Sequence, residues 1–243
     1  MVYLERKKQM KKIAENQFIG DYKISDELCD SLVELFHKVP VAPTNFKREN
    51  PEWPMWKEAG AVGDGELRTD IKNSMDLKFS PDFLTHQKRI SGFAEEKRLI
   101  NNYVFELNLC FSNYAEDLCL DVPELKEDGN KSNFDHCNFF EGVNLQYYAP
   151  GGGFFANHYE RGFPNYLNRE YVYMTYLNDV PKGGTYFYYQ DKTVEAKKGR
   201  TLIWPAHYTH IHRGQISKTH EKYIMTGWLG FPTRIMKVPS QSW

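Results

Sequence analysis

From about Asn138 onward the chain is built of short β-type runs. Val143–Tyr148, Tyr171–Leu177, Thr185–Tyr189, Thr193–Ala196, Thr201–Trp204 and Tyr223–Leu229 are rich in Tyr, Phe, Val, Ile and Thr. Turn residues separate them, among them Ala149-Pro-Gly-Gly-Gly153 and Asn178-Asp-Val-Pro-Lys-Gly-Gly184. Runs this short are strands rather than helices, and their spacing predicts a β-sandwich or barrel. Two sheets facing each other as a jelly roll would send every second side chain into a shared interior.

The first half reads differently. Leu28, Leu32, Leu35 and Phe36 fall on one face of a helix that Ser25 is placed to cap. Tyr103, Leu107, Cys110, Tyr114 and Leu118 form a second helical stripe, predicted between about Gln87 and Cys119. Between them, residues 38–65 carry Pro40, Pro43, Pro51 and Pro54 and read as a long loop. The expected organisation is one structural domain: a helical support region, 1–137, packed on a β-rich core, 138–243. The fold class is α+β.

Composition narrows the function. Of 243 residues, 31 are Lys or Arg and 32 are Asp or Glu, a net charge of −1. That balance argues against a general nucleic-acid binder. No run approaches the ~18 apolar residues of a membrane span. The charged start, Met1-Val-Tyr-Leu-Glu-Arg-Lys-Lys, has no apolar signal core, so a cytoplasmic location is expected. Cys29, Cys110, Cys119 and Cys137 show no C-x-x-C pairing and read as reduced, mostly buried thiols.

Five of the eight histidines lie between His158 and His220. In Asn157-His158-Tyr159-Glu160 the histidine and the glutamate are two apart, so a strand presents both to one point. His207, His210 or His212 can supply a third ligand. Two histidines and a carboxylate form the facial triad of non-haem Fe(II) oxygenases, with open positions on the metal. Lys222 lies in an otherwise apolar run, where a cation facing the interior is costly unless it meets an anion. A carboxylate-bearing co-substrate would be that anion.

On these residues the chain resembles the 2-oxoglutarate- and Fe(II)-dependent dioxygenases of the prolyl 4-hydroxylase type. The match runs from about Val143 to Phe231. It includes Tyr148 ten positions before His158, the Gly183-Gly184-Thr185 turn, Lys197-Lys-Gly199, and His212 ten positions before Lys222. The resemblance implies a double-stranded β-helix (jelly-roll, cupin-like) core with N-terminal supporting helices. It implies iron held by His158, Glu160 and His212, and 2-oxoglutarate held by Lys222 with Tyr148 and Tyr176. It also implies O2 as a substrate, succinate and CO2 as products, ascorbate as a candidate accessory, and hydroxylation, with prolyl residues of a peptide or protein as the expected target. The alternatives are the same chemistry on a small molecule or free amino acid, and a non-catalytic metal- or ligand-binding jelly roll. Two features depart from the commonest pattern. The motif is H-x-E where H-x-D is usual, and the base is Lys where many relatives have Arg. The residues expected to choose the substrate are those of loop 38–65, with Trp53 and Trp56, the stretch Arg161–Arg169, and the tail ending in Trp243.

Overall fold

The computed structural model describes residues 12–41, 55–60, 67–79, 93–121, 137–162 and 164–230. The helices are α1 (Lys12–Glu15), α2 (Asp26–Lys38) and α3 (Ala94–Asp121). The strands are β1 (Gly20–Lys23), β2 (Met55–Ala59), β3 (Lys72–Asn73), β4 (Met75–Phe79), β5 (Asn138–Tyr148), β6 (Gly153–Phe154), β7 (Arg169–Tyr176), β8 (Val180–Phe187), β9 (Lys192–Ala196), β10 (Arg200–Pro205), β11 (His212–Gly214) and β12 (Lys222–Gly230). A seven-stranded sheet runs β1-β10-β7-β12-β5-β4-β2, a three-stranded sheet β11-β8-β9, and β3 pairs with β6. Every pairing between these strands is antiparallel. This is the double-stranded β-helix, a jelly roll of two facing sheets.

Alternation along the strands builds two cores. Tyr171, Tyr173, Ile203, Tyr223 and Met225 point to one face of the large sheet and pack with Leu28, Leu32, Leu35 and Phe36 of α2 and Tyr103, Leu107, Cys110 and Tyr114 of α3. Val172, Met174, Tyr176, Leu202, Trp204 and Ile224 point to the other face and meet Phe187 and Val194 of the small sheet. The central strand β7 is therefore apolar on both sides, because a layer covers each. A buried polar chain crosses the helix–sheet layer: Tyr103 Oη lies 3.1 Å from Thr175 Oγ1, which lies 2.8 Å from Thr201 Oγ1. At Gly227 the Tyr173 ring of the neighbouring strand passes so close that an added Cβ would sit 2.2 Å from its hydroxyl.

The first half contributes more strand than its texture implies. β1, β2 and β4 all extend the large sheet. Residues 38–65, read as a loop, contain β2, which pairs with β4 at the sheet edge. Pro51 and Pro54 precede this strand rather than interrupt it, and an edge tolerates proline. The second helix begins at Ala94 rather than near Gln87. Ser25 does occupy the N-cap position of α2, but its side chain makes no cap bond. Its Oγ and its backbone N–H both donate to the Glu106 carboxylate of α3, each at 2.7 Å, so the residue ties two helices together. Trp53, His86, His136 and Trp243 lie outside the described residues. Cys29, Cys110, Cys119 and Cys137 are free thiols, the first three buried. No helix among the described residues is long and apolar enough to cross a membrane.

The helix layer holds the outer face of the sheet that carries the site. Leu107 is fully buried in it. Leu107→Ala is expected to cost about 2–5 kcal/mol in urea unfolding. Ligand affinity should stay near the wild-type value, because the side chain touches only the helix–sheet core.

Candidate active site

Strand β5 ends at Tyr148, and the chain turns through Gly151, whose φ of 85° is in the left-handed region and whose N–H donates to Ser217 O at 2.8 Å. The chain then forms β6 and arrives at His158. Here two segments far apart in sequence close on each other: His158 N–H donates to His212 O at 3.0 Å, and His212 N–H donates to His158 O at 2.9 Å. This pair sets the two imidazoles side by side, with ring centroids 4.3 Å apart. Phe154 stacks on His158 at 3.7 Å, and Trp204 meets His212 edge-on at 5.0 Å.

Each ring is fixed in one tautomer. His158 Nδ1 lies 2.9 Å from Ala156 O, and His212 Nδ1 lies 2.9 Å from His210 O. A carbonyl can only accept, so each Nδ1 carries the proton and each Nε2 keeps its lone pair. Both Nε2 atoms face Glu160 Oε1, at 3.3 Å from His158 and 3.7 Å from His212. The three ligand atoms lie within 4.8 Å of one another. Two lone pairs and a carboxylate oxygen converging on one point fit a divalent cation, and backbone acceptors on the far ring nitrogens are what histidine ligands commonly have.

Electrostatics support the same reading. Burial, with His158 adjacent, pushes His212 down to about 3, so the ring is neutral near pH 7. Burial alone would raise Glu160. Its contacts with His158, His212 and Arg169 outweigh burial and hold the carboxyl at about 2. With His212 neutral, Arg169 is the permanent cation beside this carboxylate.

The triad opens into a cavity of about 250 Å3 whose wall includes Tyr148, Tyr176, Thr185, Arg169, Trp228 and Lys222. Lys222 is 6% exposed. It donates to Gly183 O at 3.0 Å and Gln215 O at 3.1 Å, and burial lowers it to about 8. Among the described residues no carboxylate pairs with it, so one of its three N–H donors is left for an anion entering the cavity. Tyr148 Oη donates to Gln146 Oε1 at 2.7 Å, so it must give up Gln146 to donate to a ligand. Tyr176 Oη lies 2.6 Å from Thr185 Oγ1, and the remaining hydroxyl proton makes only a weak bond from Thr185 Oγ1 to Met174 Sδ at 4.0 Å, which a ligand oxygen can replace.

Every residue singled out for the site is thus in one cavity. The other described histidines lie outside this cavity. His210, a candidate third ligand by sequence, sits in a 3-10 turn, with Nε2 2.9 Å from Gln17 O. His207 contacts Arg161 at 2.6 Å, and Arg161 also binds Glu170 at 2.8 Å, so this arginine is tied down at the surface. His37 meets the Tyr223 hydroxyl at 3.0 Å. His220 is exposed.

Sequence reading missed several wall residues. Trp228 and Thr226 could have been found by stepping in twos from Lys222. Lys72 and Asp76 form a buried ion pair at 2.6 Å, with Gln146 Nε2 3.4 Å from the same carboxylate. Arg169 is the least legible. It shares parity with Tyr171 and Tyr173, which face the helices. A bulge at Glu170, where β7 carries one residue more than β12, turns it into the cavity. There its guanidinium lies over the Tyr166 and Trp228 rings at 3.8 and 3.5 Å. It pairs with both oxygens of Glu141 and reaches Glu160 Oε2 at 3.4 Å.

Fold and site together are those of a jelly roll with two histidines and a carboxylate placed to hold a metal ion. Residues 143–230 match the family model described as the 2OG-Fe(II) oxygenase superfamily. No curated protein matches the chain. Among solved structures, similar ones include a prolyl hydroxylase of Trichoplax adhaerens in complex with a hypoxia inducible factor oxygen degradation domain peptide fragment. It is 13% identical, with 94% of this chain and 91% of that chain covered and a TM-score of 0.57. A Pseudomonas putida prolyl-4-hydroxylase is 12% identical over 93% of this chain and 100% of its own, with a TM-score of 0.52. The viral collagen prolyl hydroxylase of Paramecium Bursaria Chlorella virus-1, in its 2OG complex, is 18% identical over 88% and 96%, with a TM-score of 0.51. At these identities the likeness is one of fold. The β-rich core thus matches the 2OG-Fe(II) oxygenase superfamily, a group of Fe(II)- and 2-oxoglutarate-dependent dioxygenases, and the chain has a prolyl 4-hydroxylase-like fold.

The lysine leaves a signature in stability. Its folded pKa, about 8, lies below the ordinary 10.5. Between those values the unfolded chain holds the extra proton, so the ligand-free protein gains stability as pH rises from about 8 to 10.5, by roughly 3 kcal/mol. Lys222→Met should remove this slope. Urea unfolding of both proteins across that range checks it; curves that stay parallel would contradict the buried charge.

Proposed function

We propose that the protein hydroxylates prolyl residues in a peptide or protein, consuming O2 and 2-oxoglutarate and releasing succinate and CO2. In this reading His158, Glu160 and His212 hold Fe(II). The observation that carries it is their convergence, lone pairs inward, on one cavity that also contains a lysine with no carboxylate partner among the described residues. The chemistry Fe(II) supplies there is activation of O2, coupling decarboxylation of the 2-oxo acid to insertion of oxygen into a C–H bond.

The chain's own residues select and orient. Lys222 pairs with the distal carboxylate of 2-oxoglutarate through the N–H donor that Gly183 O and Gln215 O leave over. As a point charge it fixes that end without a bidentate fork. Tyr176 and Thr185 offer one hydroxyl proton to the co-substrate, and Tyr148 can add another by releasing Gln146. Phe154, Phe187 and Trp204 line the two imidazoles with apolar surface and keep bulk water from the metal positions.

A prolyl target suits the remaining wall, where Trp228 and Tyr166 add aromatic surface around the Arg169 guanidinium. A cavity of about 250 Å3 holds a five-carbon dicarboxylate and one small ring rather than a large metabolite. The three similar folds named above are prolyl hydroxylases, which favours the same substrate class here.

The test is a panel of proline-containing peptides and free amino acids, scored for a gain of one oxygen in mass with Fe(II) and 2-oxoglutarate present. Hydroxylation at proline, with matching succinate, is expected. No gain on any peptide, with gain on a free amino acid, would move the substrate to small molecules. His158→Ala should abolish succinate release. Lys222→Met should raise the KM for 2-oxoglutarate by about 100-fold, as a lost buried charge pair predicts. Turnover that persists in His158→Ala would overturn the iron assignment.

A further inference from the structure

A glutamate ligand raises a problem that the usual aspartate does not. Its extra methylene adds a torsion, so the carboxylate can swing away from the histidines or turn both oxygens toward the metal and occupy a position needed by another ligand. In this chain Glu160 does neither. Arg169 Nη1 donates to the Glu160 backbone carbonyl at 3.3 Å and to Glu160 Oε2 at 3.4 Å. One nitrogen thus bridges the two ends of the same residue, and the side chain is folded back over its own backbone. Oε1 alone is left facing His158 and His212. The backbone underneath is held by the Glu160 N–H, which donates to Ala206 O at 3.1 Å.

The clamp itself cannot drift. Arg169 Nε donates to Glu141 Oε1 at 2.7 Å, Nη2 bonds to the other oxygen of Glu141, and the guanidinium plane is stacked between Tyr166 and Trp228. Two strand irregularities aim this pair. Gly142, with φ of 85°, interrupts the β5–β12 register beside Glu141, and Glu170 is the extra residue next to Arg169. Without these two bulges, alternation would send both side chains to the helix layer.

We propose that Arg169, anchored by Glu141, is a positioning residue that holds Glu160 as a one-oxygen ligand, and that this clamp lets glutamate serve where aspartate is usual. The proposal rests on the reading of Glu160 as a metal ligand. A simple charge-neutralising role for Arg169 makes a different prediction, since lysine would then serve equally well.

The experiment uses Co(II) as the probe, titrated into the full chain and followed by its visible absorption, with circular dichroism confirming that each variant is folded. His158→Ala tests the underlying reading: binding unaffected by it would overturn the metal site and the clamp together. Arg169→Lys keeps the charge but loses the planar fork. It should weaken Co(II) about 10–100-fold and alter the absorption band, as loss of a group that orients a ligand does. Glu141→Gln should shift both readouts in the same direction by a smaller amount. Glu160→Asp should weaken binding in the wild-type background, where the shorter carboxylate cannot reach Arg169 and the metal together. In the Arg169→Lys background the same change should strengthen it, because an aspartate needs no clamp. Folded Arg169→Lys with wild-type affinity and spectrum would overturn the proposal while leaving the metal site standing. If that variant does not fold, an unchanged spectrum in Glu141→Gln overturns it instead.

Discussion

Two backbone hydrogen bonds, exchanged between His158 and His212, hold the site together. They join residues 54 positions apart, after the chain has passed through β7, β8, β9 and β10. Because the bonded atoms are backbone, the pairing demands nothing of the side chains, which are free to point inward as a matched pair. The carbonyls that fix the ring tautomers belong to residues two positions earlier on each segment, so the same closure that brings the rings together also sets their protons. Site geometry here follows from strand pairing rather than from contacts between the ligands, which would repel one another without a cation.

That closure needs a stiff frame. The large sheet supplies it by being covered on both faces, with helices α2 and α3 on one side and the small sheet on the other. A strand such as β7 cannot twist or slip by one residue without exchanging its helix-facing tyrosines for its cavity-facing Val172, Met174 and Tyr176. The aromatic richness of the chain is spent largely on this double packing. Tyr103, Tyr114, Tyr171, Tyr173 and Tyr223 fill the helix side, and the hydroxyls of Tyr103, Tyr114 and Tyr223 are tied to Thr175, Phe18 O and His37.

Much of this was legible because period and spacing carry it. The runs after Asn138 became strands, Leu28 to Phe36 and Tyr103 to Leu118 became the buried helix stripes, and the His-x-Glu pair with His212 and Lys222 came together in one cavity. What escaped was whatever depends on an irregularity or on a partner distant in sequence. Arg169 and Glu141 are aimed by bulges that reverse their expected facing. Ser25 abandoned its cap for a glutamate on another helix. The β2 strand follows prolines that mark a loop in isolation, and takes its place at the sheet edge only in context. His210 was drawn out of the strand face by a turn and by Gln17, which reaches it from 193 positions earlier.

The buried charges of the cavity wall follow one rule. Lys72 is neutralised by Asp76, and Arg169 by Glu141 and Glu160. Each of these pairs is complete before any ligand arrives, which is the condition for burying ions without a large penalty. Lys222 breaks the rule. It is as buried as the others, has only two carbonyls and the Tyr148 ring for company among the described residues, and is lowered to about 8 by burial. A protein that neutralises its other described wall cations and leaves this one has a single electrostatic vacancy, which in the proposed function a dicarboxylate with its other end at the triad would fill. In that reading the cost of burying Lys222 is carried by the free protein and recovered on binding, so a pH-sensitive weakness of the ligand-free protein would become selectivity for an anionic co-substrate.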